Sequence, residues 1–67
     1  MIQSVIFNKK YWTQKLAYLW LINHDIIPIK KAHETVNFYR FRINEPIRNK
    51  QYYTVKLNDG IELVMIK

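Results

Sequence analysis

The chain has 67 residues and a formal net charge of +6, from 11 lysines and arginines against 5 aspartates and glutamates. This length allows a single domain, residues 1–67, that buries only about 60% of the surface of its unfolded chain. The absence of cysteine excludes disulfides and thiolate metal sites, and the longest apolar run, Leu16 to Ile22, is too short to span a bilayer. No signal-peptide pattern is visible, so we expect an intracellular protein that is neither secreted nor transmembrane.

The first half of the chain predicts a strand followed by a helix. Ile2 to Phe7 is rich in β-branched and aromatic residues in rough alternation, which predicts a strand. Thr13 occupies an N-cap position before a segment of good helix formers without glycine or proline, so a helix is predicted over 13–24. Pro28 prevents its continuation beyond Ile27.

The second half predicts strands. The segment IKKAHE, 29–34, is a weak strand candidate, and VNFYRFRI, 36–43, is a strong one. A loop containing Pro46 precedes two further strands, 52–57 and 61–66. Between these two, Asn58-Asp59-Gly60 predicts a tight turn, because Gly60 can adopt the left-handed conformation that such a turn needs.

This order of elements predicts the fold class. A strand, a helix and then three or four strands form a two-layer α+β domain, with a single helix packed on a small antiparallel sheet of β-α-β-β-β type. Alternation in the strands 36–43 and 52–57 predicts that their apolar faces pack on the helix. These apolar positions are Tyr39, Phe41 and Ile43 on one strand and Tyr53, Val55 and Leu57 on the other.

The helix is apolar on more than one side. Ala17, Trp20, Leu21 and His24 recur at spacings of three and four, which predicts the face that covers the sheet. Tyr18, Leu19 and Ile22 lie on other sides, and no charged residue occurs between Leu16 and Ile22. Exposed apolar patches usually mark contacts with another chain, so we predict a partner interface at Tyr18, Leu19 and Ile22. The alternative is a sheet that curls around much of the helix.

Four ordered motifs, SVIFxK, AxxWLxxH, PIKKxxETxNFYRFRxxxP and YxTxxLxxGIxxV, run from Ser4 to Val64. Together they resemble an uncharacterised small domain that recurs in proteins of tailed phages, prophages and large nucleocytoplasmic DNA viruses. The resemblance implies a viral or phage origin, with a location in the host cytoplasm, the host nucleus or the virion, and it implies no activity. Such domains typically carry lysines around the positions of Tyr18, Leu19 and Ile22, which are apolar here, and this difference favours a partner chain.

The inventory of reactive residues favours a protein without catalytic activity. The one serine, Ser4, lies in a predicted strand without a neighbouring base, and His33 and Glu34 point to opposite faces of a strand. His24 and His33 lack the spacing of a metal site; His24 is predicted to cap a carbonyl at the helix end and His33 to lie on the surface. We therefore expect no catalytic residues, no metal, no cofactor and no small-molecule ligand.

Basic and aromatic residues form the strongest candidate site. In an extended strand Phe38, Arg40 and Arg42 share the face opposite the predicted core. If Tyr52, Thr54 and Lys56 lie on the same face, that surface carries two aromatic rings and three cations. Aromatic rings stack on unpaired bases and cations neutralise phosphates, so such a surface suits a single-stranded nucleic acid. Lys9, Lys10, Lys30 and Lys31 could widen this surface. The alternative is that Phe38 and Tyr52 are cross-strand partners that shield the sheet while the arginines are solvated.

Two functional hypotheses follow. The first is a viral or phage accessory module that binds nucleic acid, DNA or RNA, through this basic and aromatic sheet face. The second is a protein-interaction module, such as a minor virion or assembly component, that docks through the apolar helix on another chain or on itself. The two are compatible if the helix forms a homodimer and the sheet binds nucleic acid. Neither hypothesis involves a membrane.

Overall fold

The computed structural model describes all residues from Met1 to Lys67 and contains one helix and five strands. In chain order the elements are β1 (Ile2–Asn8), α1 (Gln14–Asn23), β2 (His33–Glu34), β3 (Phe38–Arg42), β4 (Tyr52–Lys56) and β5 (Ile61–Ile66). Every strand pairing is antiparallel. The predicted α+β fold, with one helix on a small antiparallel sheet, is confirmed.

The first strand of the chain lies in the middle of the sheet. The strand order is β2-β3-β1-β5-β4, so β1 separates the β2–β3 hairpin from the β4–β5 hairpin. Val5 of β1 lies opposite Phe41 of β3 on one side and opposite Leu63 of β5 on the other. The sheet is therefore completed only when β1 joins the two hairpins.

The core lies between α1 and the three strands β3, β1 and β5. Ala17 and Leu21 of the helix are fully buried together with Val5 and Phe7. The Phe7 ring makes edge-on contacts with Trp12, Trp20 and Phe41, at centroid distances of 5.1, 5.7 and 5.6 Å. Edge-to-face aromatic pairs stabilise a core beyond the burial of their area, so Phe7 is its centre.

Both ends of α1 are fixed by side chains. Thr13 is the N-cap, and its Oγ1 accepts the Leu16 N–H at 3.2 Å. At the other end His24 Nδ1 donates to the Trp20 carbonyl at 2.7 Å, and its ring stacks on the Trp20 indole. Trp12 Nε1 donates to the Asp59 carbonyl at 2.7 Å, which ties the approach to the helix to the β4–β5 turn. The predicted helix limits and the capping role of His24 are confirmed.

The prediction that the strands 36–43 and 52–57 both pack their apolar faces on the helix is wrong for the second of them, β4. Tyr53, Val55 and Leu57 are 47%, 37% and 40% exposed. An α-helix with its side chains is about 10 Å wide, and neighbouring strands lie about 4.8 Å apart. One helix therefore covers about three strands, and β4, as the outermost strand beyond β5, lies outside its reach.

Two predicted strands are shorter in the structure. Only His33 and Glu34 of the segment 29–34 form a strand, and β3 begins at Phe38 rather than at Val36. Thr35 causes the later start, because its backbone N–H donates to the Phe38 carbonyl at 2.9 Å and its Oγ1 accepts the Phe38 N–H at 3.1 Å. This local turn leaves Val36 88% exposed.

Gly60 is expected to be sensitive to substitution. It has a φ of +72°, and a Cβ added to it would lie 2.7 Å from Tyr11 Cδ2. Gly60→Ala should lower the free energy of unfolding by about 2 kcal/mol, measured by urea denaturation, because L-residues are strained in this conformation. The same substitution in a Tyr11→Ala background removes the closest of these contacts and should cost less. Equal stability of Gly60→Ala and the wild type would contradict this assignment.

Candidate functional site

The face of the sheet opposite the helix, here the open face, carries the predicted basic and aromatic residues. Arg40 lies opposite Ile6, Ile6 opposite Glu62, and Glu62 opposite Lys56. Residues directly opposite one another in antiparallel strands point to the same side, so Arg40 and Lys56 share this face. Arg42 and Thr54 also share this face, because they are linked in the same way through Ser4 and Val64.

The predicted site is nevertheless not one continuous surface. Because β1 and β5 lie between β3 and β4, three strand spacings, or about 14 Å, separate the arginine row from Lys56. The alternative in which Phe38 and Tyr52 are cross-strand partners is wrong, since Phe38 lies opposite Asn8 and Tyr52 opposite Ile66. Alternation predicted the face of each side chain correctly, whereas the strand order separates the two groups.

Four of the predicted residues do come together. The short pairing of β2 with β3 brings the segment 30–33 alongside the arginines, and the Ile29 N–H donates to the Arg42 carbonyl at 2.9 Å. The result is a groove of about 460 Å³ at the β2–β3 edge. We call it the cationic groove; it is lined by Lys30, Lys31, Ala32, His33, Arg40 and Arg42.

Arg40 is held in this groove by neutral groups. Its Nε donates to Ser4 Oγ at 3.4 Å and its Nη2 to Gln3 Oε1 at 3.3 Å. Ser4 Oγ in turn donates to Gln3 Oε1 at 2.6 Å, and both polar residues are buried. No carboxylate forms an ion pair with Arg40. The guanidinium is therefore oriented while its charge remains available to an anion.

Only one carboxylate forms ion pairs with the cations of the groove. Glu45 lies 3.7 Å from Arg42 Nη1 and 3.9 Å from Lys30 Nζ. These exposed pairs are long, and exposed pairs contribute little and are screened by salt. Glu34, next to His33 in the chain, instead pairs with Lys9. Four cations thus face a single carboxylate, so the groove carries an excess of positive charge.

The predicted aromatic residues lie outside the cationic groove. Phe38 and Lys56 line a smaller groove of about 220 Å³ together with Glu62. Tyr52 has a structural contact, because its hydroxyl accepts the Ile47 N–H at 2.7 Å and donates to the Ile47 carbonyl at 3.1 Å. It therefore fixes the loop between β3 and β4. Of the two rings, only Phe38 is on the same strand as the arginines.

His33 is a groove residue that the sequence interpretation placed merely on the surface. It lies opposite Arg40 and lines the cationic groove. The signal that could have found it is the turn at Thr35, because a hairpin closed there sets β2 in register with β3. The buried Gln3–Ser4 pair had no such signal, since it depends on an irregularity in the β1–β5 register between Ile2 and Ser4.

The helix carries a second candidate surface. Tyr18, Leu19 and Ile22, here the helix patch, are 47%, 44% and 39% exposed, as the sequence predicted for the isolated domain. Their contact with another chain stays a prediction. No group of three or more His, Cys, Asp or Glu side chains lies together in a way that could hold a metal ion. No helix in the structure has the length and apolar character needed to cross a membrane.

Comparison with protein-family models, with curated proteins and with solved structures finds no match for this chain. The resemblance to the phage and viral small domain therefore stays a prediction from the four sequence motifs.

Proposed function

We propose that this domain is a non-enzymatic module that binds nucleic acid through the cationic groove. The observation that carries the proposal is the convergence of Lys30, Lys31, Arg40 and Arg42, with one carboxylate among them, in a chain of net charge +6. Clustered cations on one edge of a basic domain are the electrostatic footprint of a phosphate-binding surface. The motif resemblance adds a viral or phage accessory role to this proposal.

The two arginines present oriented hydrogen-bond donors, and the two lysines present flexible charged side chains. Arg40 and Arg42 are two residues apart on β3, so their Cα atoms lie about 7 Å apart, which favours contacts with separate phosphates. A guanidinium presents a planar fork of donors that matches phosphate oxygens, and Arg40 is already oriented by Gln3 and Ser4. Lys30 and Lys31 carry flexible ammonium groups that follow the phosphate chain.

The binding mode we propose rests on the phosphate backbone. No phenylalanine, tyrosine or tryptophan lines the cationic groove, and Phe38, two residues before Arg40, is the ring of β3 that shares the face of the arginines. Phosphate contacts position a nucleic acid without reading its bases, so binding should vary little between sequences. DNA and RNA both carry the phosphates that such a groove contacts.

A salt titration tests this function. Binding of fluorescent single-stranded and duplex oligonucleotides should weaken with salt, with log–log slopes of about −3 and −3.6 if four cations each neutralise one phosphate. Arg42→Ala should reduce the magnitude of the slope by about one unit, the equivalent of one phosphate contact. Lys67→Ala should not, because Lys67 follows the end of β5 and does not line the cationic groove. Phe38→Ala should weaken single strands more than duplex, because only unpaired bases stack. Absence of binding at low salt would overturn the proposal.

A second candidate function is docking on another protein chain through the helix patch. The observation that favours it is the exposure of Tyr18, Leu19 and Ile22 on a helix without charge over 16–22. A minor virion or assembly component would use such a surface. The arginines of the groove are on the open face and the helix patch is on the other layer. Tyr18 of the helix patch nevertheless shares a pocket of about 490 Å³ with Lys30 and Lys31, so the two surfaces meet at these lysines.

A further inference from the structure

The two edge strands of the sheet differ in how well they are protected from pairing with a strand of another chain. The β2 edge has only two residues, His33 and Glu34, and its shortness and charge discourage pairing with another strand. The β4 edge has five residues, YYTVK, and all of them are exposed. An exposed edge strand of this length with apolar residues is a template for strand addition.

The hydrogen-bonding groups of β4 that face outward can be assigned from the ladder. Leu57 N donates to the Ile61 carbonyl at 2.8 Å, and Lys67 N donates to the Gln51 carbonyl at 2.9 Å. Antiparallel ladders alternate, so odd-numbered residues of β4 face β5 and even-numbered residues face the free edge. The N–H and C=O groups of Tyr52, Thr54 and Lys56 therefore point outward, and none of them bonds to a loop or turn.

We propose that β4 pairs antiparallel with β4 of a second copy of this chain, with Thr54 opposite Thr54 of the second copy. In this register the outward-facing groups of 52, 54 and 56 meet one another and form about six backbone hydrogen bonds. Tyr53 lies opposite Val55 on the helix side, and Tyr52 lies opposite Lys56 on the open face. Aromatic–β-branched and Thr–Thr pairs are stabilising cross-strand types, and the Tyr–Lys pair adds a cation–π contact.

The sequence of β4 makes a second copy a better occupant than an unrelated strand. When the segment YYTVK pairs with itself in this register, an aromatic residue lies opposite a β-branched residue on the helix side, and an aromatic residue lies opposite a lysine on the open face. The two Lys56 residues are four positions apart in this register, or about 14 Å, which exceeds the Debye length of about 8 Å at physiological salt. Their repulsion is therefore screened.

The pairing also covers the apolar side chains that the helix leaves exposed. Tyr53 and Val55 of each copy become neighbours across the new strand pair, on the helix side of a continuous ten-stranded sheet. The cationic groove lies at the opposite edge and stays open in the dimer. This inference does not rest on the proposed function, and its failure would leave nucleic-acid binding untouched.

Disulfide trapping tests the register. The chain has no cysteine, so a single introduced cysteine can pair only with its copy. Opposed residues of a hydrogen-bonded antiparallel pair have Cα atoms about 5.5 Å apart, within the range that a disulfide spans. Thr54→Cys should form a covalent dimer on mild oxidation at least about ten times faster than Lys10→Cys, and 8 M urea should abolish the difference. Equal rates in buffer would overturn the proposal.

Light scattering over rising concentration tests the association itself. The wild type and Thr54→Val should approach twice the 8.2 kDa mass of the chain. Thr54→Pro should remain monomeric yet folded, because it removes an outward N–H and leaves the bonds to β5 intact. A wild type that is monomeric at several hundred micromolar would overturn the proposal. The proposal would also be overturned if the double variant Leu19→Lys, Ile22→Lys were monomeric while Thr54→Pro remained a dimer. That result would assign association to the helix patch.

Discussion

Phe7→Ala is expected to unfold most of the protein at 37 °C. Phe7 is fully buried and contacts Trp12, Trp20 and Phe41 edge-on. Truncating a buried phenylalanine costs about 3–5 kcal/mol. A domain of this length has a total stability of roughly 3–10 kcal/mol. The substitution should therefore remove much or all of the free energy of unfolding. Urea denaturation followed by tryptophan fluorescence measures it, because both tryptophans contact the Phe7 ring.

Phe38→Ala is the matched control, since it removes the same side chain from the half-buried edge of the open face. It should cost about 1 kcal/mol or less, because surface substitutions outside the core have small effects. A cooperative transition of Phe7→Ala at nearly the same urea concentration as that of the wild type would show that the core is not centred on this ring. Comparable losses in both variants would show that Phe38 also supports the fold.

The features that the sequence predicted well are local ones. Thr13 caps the helix, and Pro28 lies soon after its end, so the helix limits depend on residues within a few positions of one another. Likewise Asp59 and Gly60 both adopt positive φ in the predicted turn, which closes the β4–β5 hairpin. Such signals act through backbone conformation and short-range hydrogen bonds, which a single sequence displays directly.

The features that the sequence did not predict are neighbours across the sheet. Alternation determines which face a side chain occupies, and it placed Arg40 and Lys56 correctly on one face. It contains no information about which strands are adjacent, and the insertion of β1 between β3 and β5 is a contact between distant parts of the chain. The same insertion leaves β4 at the edge and exposes Val55.

The candidate site shows the same division. Arg40 and Arg42 were recognised because they recur at a spacing of two on a strong strand. The convergence with Lys30 and Lys31 follows from the two-residue pairing of β2, which is too short to be evident from sequence. His33 was missed because the turn at Thr35, the one local signal for this pairing, was not interpreted as a hairpin.

Reversing charge in the cationic groove should abolish most nucleic-acid binding. The double variant Lys31→Glu, Arg42→Glu replaces two cations, neither of which contacts a buried polar group, so the fold should be retained. At low salt we expect affinity to fall at least about 100-fold, because two phosphate contacts are lost and two repulsive charges are introduced. Arg40 is left unchanged because it contacts buried Gln3 and Ser4.

The control for this prediction must alter the net charge equally. Lys10→Glu, Lys67→Glu also lowers the net charge from +6 to about +2, and neither lysine lines the cationic groove. If the groove is the binding surface, this variant should lose only a few-fold in affinity, through weaker long-range attraction. The gap between the two variants should close as salt approaches about 0.5 M, where charges are screened over a few ångströms. Equal losses at low salt would mean that net charge alone attracts nucleic acid, and the assignment of the groove would then be wrong.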